Sequence, residues 1–125
     1  MNPTEFKFTL PKGLVDSDGN LHHHGIIRLT TAKDELFVQR DDRAREIPGY
    51  GFLILLSRVI THLGDISSIT PELLENLFTI DLAYLREFYN RINQQGSAMI
   101  PARCPQCSHQ FKTELVLAGE RQATP

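Results

Sequence analysis

The chain holds two cysteines, Cys104 and Cys107, with two residues between them in the stretch RCPQCSHQF that spans 103–111. That spacing lets backbone amides point at the sulfurs while both thiolates reach one zinc ion at about 2.3 Å, and Pro105 helps hold the bend. A structural zinc site takes four ligands. The segment itself offers two thiolates and the imidazole of His109. The run His22-His23-His24, through His22 or His24 above all, would supply one or two imidazoles if the N-terminal part packs beside the C-terminal one. Otherwise the site is shared with a partner subunit, or the cysteines carry no metal. A disulfide across so short a loop would contribute only about 2 kcal/mol, against the order of 10 kcal/mol from a complete zinc site, and a reducing compartment disfavours it further. Thiol redox chemistry needs the first cysteine at a helix N-terminus, whereas β-like residues follow this pair.

Other reactive residue types find simpler roles. Consecutive residues of an extended segment point to opposite faces, so His22, His23 and His24 cannot all face one catalytic metal. They read as the exposed flank of a turn, and no Ser and Asp pairing turns them into a triad. His62 reads as a residue bordering the apolar stripe of a helix. Asp81, Glu72 and Glu75 have adequate work at helix starts, where negative charge is favourable. The cluster Asp16-Ser-Asp-Gly-Asn20 could suggest calcium, but Ile27 stands where an EF-hand loop counted from Asp16 needs its bidentate Glu. Neither an HExxH motif nor a Gly-rich phosphate loop occurs. The expectation is a protein with no catalytic residues and no organic cofactor.

The bulk numbers agree with a binding or structural role. Of 125 residues, 41% are hydrophobic and 22% charged, enough for one domain with a real core. Thirteen basic residues are offset by 15 acidic ones, for a net charge of -2, and no stretch gathers the Lys and Arg of a nucleic-acid-tracking surface. The opening MNPTEFKFTL lacks the apolar run of a secretory signal. The longest apolar stretch, 51–56, falls far short of the ~20 residues of a membrane-spanning helix. A cytoplasmic protein is expected.

Those residues must be positioned by a mixed set of elements. Residues 5–10 alternate with Phe6, Phe8 and Leu10 on one face, a strand stopped by Pro11-Lys-Gly13. Residues 16–20 are dense in turn formers, and 25–29 are β-like again, so an N-terminal hairpin is expected. Thr31 and Asp34 form a capping box that opens a short helix. The mixed-sign run 40–46 reads as a solvated face or loop, ended by Pro48-Gly49. Between Tyr50 and Leu63, apolar residues at 52, 55, 56, 59, 60 and 63 predict one central helix stopped by Gly64. Thr70-Pro71 caps a short helix carrying Leu73, Leu74 and Leu77. Thr79 caps a longer one to about Asn93, with Leu82, Leu85, Tyr89 and Ile92 as its stripe. Residues 98–102 and 110–117 predict a C-terminal hairpin joined through the cysteines. The tail, 118–125, is polar and without periodicity, so it is expected to be flexible.

The predicted architecture is a single α+β domain over 1–117: a β-rich part at 1–30, a core of three or four helices at 31–95, and a C-terminal hairpin at 97–117 bearing the CxxC knuckle. Exposed hairpin edges would serve as docking surfaces through strand pairing.

Two longer strings carry a family resemblance: FTLPKGLVDSDGNLHHHGIIRLTTAKDEL near the N-terminus and LLSRVITHLGDISSITPELLENLFTIDLAYLREFYNRIN in the centre. Together they cover most of residues 6–93. They resemble small tail-assembly or baseplate-associated proteins of contractile phage tails and phage-tail-like injection systems. The ending CPQCSHQF is similar to endings of some such proteins. The resemblance implies a non-enzymatic part that binds other tail or baseplate subunits, or itself, in the bacterial cytoplasm during assembly and is carried into the finished particle or released from it. It supplies no catalytic residues. The other reading from the residues is a zinc-ribbon-like adaptor or regulatory binding protein.

Overall fold

The computed structural model describes residues 4–96, together with the backbone of 99–103 and 110–114. The order of elements is β1 (Glu5–Val15), β2 (Leu21–Arg28), α1 (Ala32–Gln39), α2 (Asp42–Glu46), α3 (Tyr50–Val59), β3 (Ile60–Leu63), α4 (Pro71–Leu74), α5 (Thr79–Gln95), β4 (Met99–Arg103) and β5 (Gln110–Glu114). The fold is α+β. β1, β2 and β3 form an antiparallel sheet in that order, and β4 pairs antiparallel with β5.

The first strand runs on past the point where Pro11 and Gly13 are expected to stop it. Thr9 pairs with His24 and Leu14 with His22, so residues 10–13 lie opposite His23 alone. This bulge explains how the chain tolerates its two strand breakers. Pro11 has no amide to lose from a ladder, and Gly13 takes a φ of 94° that a side chain would resist. Leu10 and Leu14, on either side, are both fully buried.

A bulge leaves amides without a strand partner, and a buried amide must find an acceptor. Asp81, in the first turn of α5, supplies both that are needed here. Its Oδ1 accepts from the Lys12 amide and its Oδ2 from the Gly13 amide, each at 2.8 Å. Nearer the strand's start, the Thr9 amide donates to Tyr84 Oη at 3.2 Å. α5 thus lies along the outer edge of β1 from Thr9 to Gly13. Among the described residues, no strand pairs with the outer edge of β3 either.

β3 is the second departure. The predicted helix over 50–63 ends at Val59, and Ile60–Leu63 join the sheet instead. His62 consequently sits on a strand, exposed, and not beside a helical stripe. Ile27 pairs with Ile60 and Ile26 with His62, so Thr61 is an extra residue. That bulge lets Ile60 and Leu63, three apart, both enter the core. The same spacing in sequence mimics a helix. The β-branched run Val59-Ile60-Thr61 favours the strand once β2 offers a free edge.

Helix starts follow the predicted signals closely at two places. Thr31 accepts from the Asp34 amide while the Asp34 carboxylate accepts from the Thr31 amide, a complete capping box. Thr70 accepts from the Leu73 amide, with Pro71 in the first turn. At α5, however, Thr79 is already inside the helix and Phe78 holds the cap position without a side-chain bond. The run 40–46 contains a single-turn helix, α2, capped by Asp41.

One continuous core joins the sheet to the helices. It contains Phe8, Leu10 and Leu14 from β1, Ile27, Leu56 and Val59 from α3, Ile60, Leu63, Leu74, Leu77, and Tyr84, Leu85, Phe88 and Ile92 from α5. Phe8 and Phe88 meet edge to face, centroids 6.2 Å apart. The predicted core of helices packed on helices is thus a core of helices packed on a sheet. Arg43 fastens α2 to α4 through Glu72, and Tyr50 Oη donates to Glu75 Oε2 at 2.6 Å.

Asp81→Ala should leave the buried Gly13 amide and the part-buried Lys12 amide without their acceptor and cost about 2–4 kcal/mol, whereas Asp81→Asn, which keeps one acceptor, should lose about half as much. Urea unfolding of the two variants measures this; equal losses would show that the carboxylate does not bridge both amides.

Candidate functional site

Three groups of side chains could do more than pack. The first lies at the β1–β2 turn. Asp16 Oδ1 accepts from the amides of Asp18 and Asn20, both at 2.9 Å, an arrangement natural to an Asp opening a turn. Its Oδ2 lies 2.8 Å from His22 Nε2. The other ring nitrogen, Nδ1, is 3.4 Å from the Asp65 amide, which donates to it. An amide can donate only to an unprotonated nitrogen, so Nε2 carries the proton and donates to Asp16. The hydrogen bond from His22 holds the Asp16 carboxyl below the usual carboxylate range. A Cβ on Gly64 would fall 2.1 Å from His22 Nδ1, so only glycine lets this loop close over the ring. His22 is 8% exposed and clasps the hairpin turn to the loop after β3. It is not the exposed turn residue expected from the sequence.

Its neighbours differ. His23 Nδ1 contacts the Leu10 carbonyl oxygen at 3.0 Å. His24 is exposed, with Nδ1 3.3 Å from Thr9 Oγ1. Of the two N-terminal histidines considered as zinc ligands, His22 has both ring nitrogens in contacts within the chain, while His24 meets Thr9 through Nδ1. The remaining candidates, Cys104, Cys107 and His109, lie outside the described residues, as do residues 115–125 with the predicted tail. Among the described residues, no three His, Cys, Asp or Glu side chains converge in a metal-holding group.

Beside this clasp opens a cleft of about 530 Å³ between the turn and the loop before α4, lined by Asp16, Asp18, Asp65, Ser67, Leu73 and Asn76 among others. A second, shallower and more apolar groove of about 380 Å³ runs between α1 and α3, bounded by Val38, Gly51, Phe52 and Leu55, with Glu35 and Gln39 at its side.

The third group anchors α1. Asp34 is 1% exposed and takes both Arg28 guanidinium nitrogens, Nη1 at 2.8 Å and Nη2 at 2.9 Å, with Arg58 Nε at 2.8 Å. The Arg28 guanidinium, joined by the Thr31 amide and Arg58 and opposed by burial, holds the Asp34 carboxyl well below the usual carboxylate range. Arg28 also donates to the Arg58 carbonyl, so α1, β2 and the end of α3 meet at this carboxylate. Sequence reasoning found Asp34 as a cap but not as a buried ion-pair centre, because nothing local to Thr31–Asp34 indicates that Arg28 and Arg58 converge on it.

No protein-family model matches the chain, and neither a curated protein nor a solved structure matches it. No helix of the described residues is long and apolar enough to cross a membrane.

Because the folded pKa of Asp34 is depressed, its contribution to stability is complete above the ordinary carboxylate value of about 3.9 and is lost as pH falls below that toward the folded value. Asp34→Ala should cost about 3–5 kcal/mol at neutral pH by leaving two guanidiniums partly buried without their anion. Urea melts across the acid range should show a shallower pH dependence for the variant than for the parent; parallel curves would remove Asp34 from the acid transition.

Proposed function

We propose that the chain is a non-enzymatic structural or assembly protein of a contractile phage tail or tail-like injection particle, made in the bacterial cytoplasm, where it binds other tail or baseplate subunits. The observation that carries this reading is the placement of large apolar side chains. Beside a fully closed core, Val15, Leu21, Leu36, Phe37, Ile47 and Phe78 remain between 41% and 52% exposed. Such residues scattered singly are ordinary, but Val15 and Leu21 are register partners at the hairpin tip and Leu36 and Phe37 are adjacent on α1. Paired in this way they suit surfaces that neighbouring subunits cover. The buried ionisable groups point the same way, since Asp34 and Asp81 are both committed to holding backbone and guanidinium groups. The resemblance of residues 6–93 to tail-assembly and baseplate-associated proteins supplies the particular kind of assembly.

The zinc-binding adaptor is the second reading, and the register of β4 and β5 favours it. Arg103 pairs with Gln110, so Cys104 directly follows one paired residue and His109 directly precedes the other in the chain. In this reading Cys104 and Cys107 hold a structural zinc, completed by His109, His24 or a partner's side chain, and the ion fixes the C-terminal hairpin without activating water. The two readings are compatible in one molecule.

Expression with the neighbouring operon, followed by purification of the chain and metal analysis of the same sample, tests both. Sheath, tube or baseplate subunits should co-purify, with about one zinc per chain. In the Cys104→Ala/Cys107→Ala variant the zinc should be absent and the yield of assembled complex reduced. Recovery of the chain alone would sink the assembly reading, and zinc retained by the variant would sink the metal assignment.

A further inference from the structure

α1 is attached to the domain the wrong way round for an ordinary surface helix. Such a helix buries an apolar stripe and turns its charges outward. Here the buried residue is Asp34, gripped by Arg28 and Arg58, while Leu36 and Phe37 are 50% and 46% exposed. The ion pairs hold the helix in place and, Val38 apart, leave its large apolar side chains outside the core.

The unused side chains are organised. Lys33, Leu36, Phe37 and Arg40 follow one another at intervals of three, one and three, so they share one face of the helix. All four are exposed. Two apolar residues are thereby flanked by a cation at each end. Neither Lys33 nor Arg40 has an ion-pair partner among the described residues. A third cation lies over the stripe, for the Arg58 guanidinium carbon is 4.1 Å from the Phe37 ring centroid. Because Arg58 Nε is fixed on Asp34, this stacking also restrains Phe37. A restrained aromatic ring loses less freedom on binding than a free one. Asp34 does not offset the stripe's charge, since it is enclosed by two guanidiniums, and Glu35 lies on the flank that faces the groove with Val38 and Gln39.

We propose that this face of α1 docks an acidic amphipathic segment of a partner protein, with the partner's apolar side chains over Leu36 and Phe37 and its carboxylates at Lys33, Arg40 and Arg58. The proposal deepens the assembly reading and rests on it, since it describes by chemistry the partner that reading requires. Charge complementarity selects an anionic partner, and the apolar centre selects one that buries carbon as well as pairing charge. An anionic membrane fits less well. Recognition of such a surface draws on roughly four to eight clustered basic residues, more than the three present.

The test places a photo-reactive phenylalanine analogue at position 37 of the full chain, expressed with the neighbouring operon, and identifies the cross-linked peptide by mass spectrometry. The same analogue at Val15, outside the stripe, is the reference. The expected product at 37 is a peptide of net negative charge from another protein, its yield reduced about tenfold by Lys33→Glu/Arg40→Glu, with the yield at 15 unchanged. If charge reversal lowers the melting temperature, Lys33→Gln/Arg40→Gln gives a milder loss in the same direction. Absence of a protein cross-link at 37, a neutral or basic peptide, a second copy of this chain, or a yield indifferent to both double changes would overturn the proposal. So would flotation with phosphatidylserine vesicles that the charge reversal abolishes. An acidic peptide from a protein that is no tail component would keep the docking face and sink the tail reading. Tail subunits that co-purify but cross-link only at 15 would do the reverse.

Discussion

The sheet and the helical layer meet at one buried carboxylate. Asp81 stands in the first turn of α5 and accepts from two successive amides of β1, those of Lys12 and Gly13, at the place where the hairpin ladder has slipped. Without an acceptor there, the bulge would leave the buried Gly13 amide and the part-buried Lys12 amide unsatisfied, and a regular strand would be preferred. A regular strand would abolish the register in which residues 10–13 face His23 alone, and with it the burial of Leu10 and Leu14 on either side. The position of α5, the bulge in β1 and the composition of the core are therefore mutually dependent. Tyr84, one turn further along the same helix, takes the Thr9 amide and completes the cover of that edge.

Asp34 performs a related task on the far side of β2. It closes a capping box for α1 and pairs with Arg28 and Arg58 in the same step. Both carboxylates fix places where repetitive hydrogen bonding gives out, a bulge in one case and a helix start in the other. The difference lies in what each leaves over. Asp81 sits on a helix that also buries Tyr84, Leu85, Phe88 and Ile92, whereas Asp34 is the one fully buried residue of α1.

What could be read in the sequence follows from how local its causes are. The boxes at Thr31 and Thr70, the turn at 16–20 and the stripe of α5 depend on residues within four positions of one another, and each was legible. β3 was not, because a bulge at Thr61 gives Ile60 and Leu63 the spacing of a helix and the strand exists only through its pairing with β2. The extension of β1 was hidden likewise, since Pro11 and Gly13 stop a regular ladder but suit a bulge. His22 had a local signal that went unused: an Asp six residues earlier, across a turn short enough to bring imidazole and carboxylate together. For Asp81 there was none, since its partners lie 68 and 69 residues away.

The apolar surface follows from the same division of labour. A core of this size can leave a helix's largest apolar residues outside only if other contacts hold that helix, and the Asp34 ion pairs, with Val38 against α3, do so for α1. A buried ion pair of this kind is often no more stabilising than apolar packing of the same volume. Its presence is hard to understand as a stability device, because Leu36 and Phe37 were available for the core at the cost of a rotation of the helix. Turning the helix inward would have hidden Leu36, Phe37 and the cations beside them. Keeping Asp34 inside and those residues outside makes physical sense where the outward face has a use of its own.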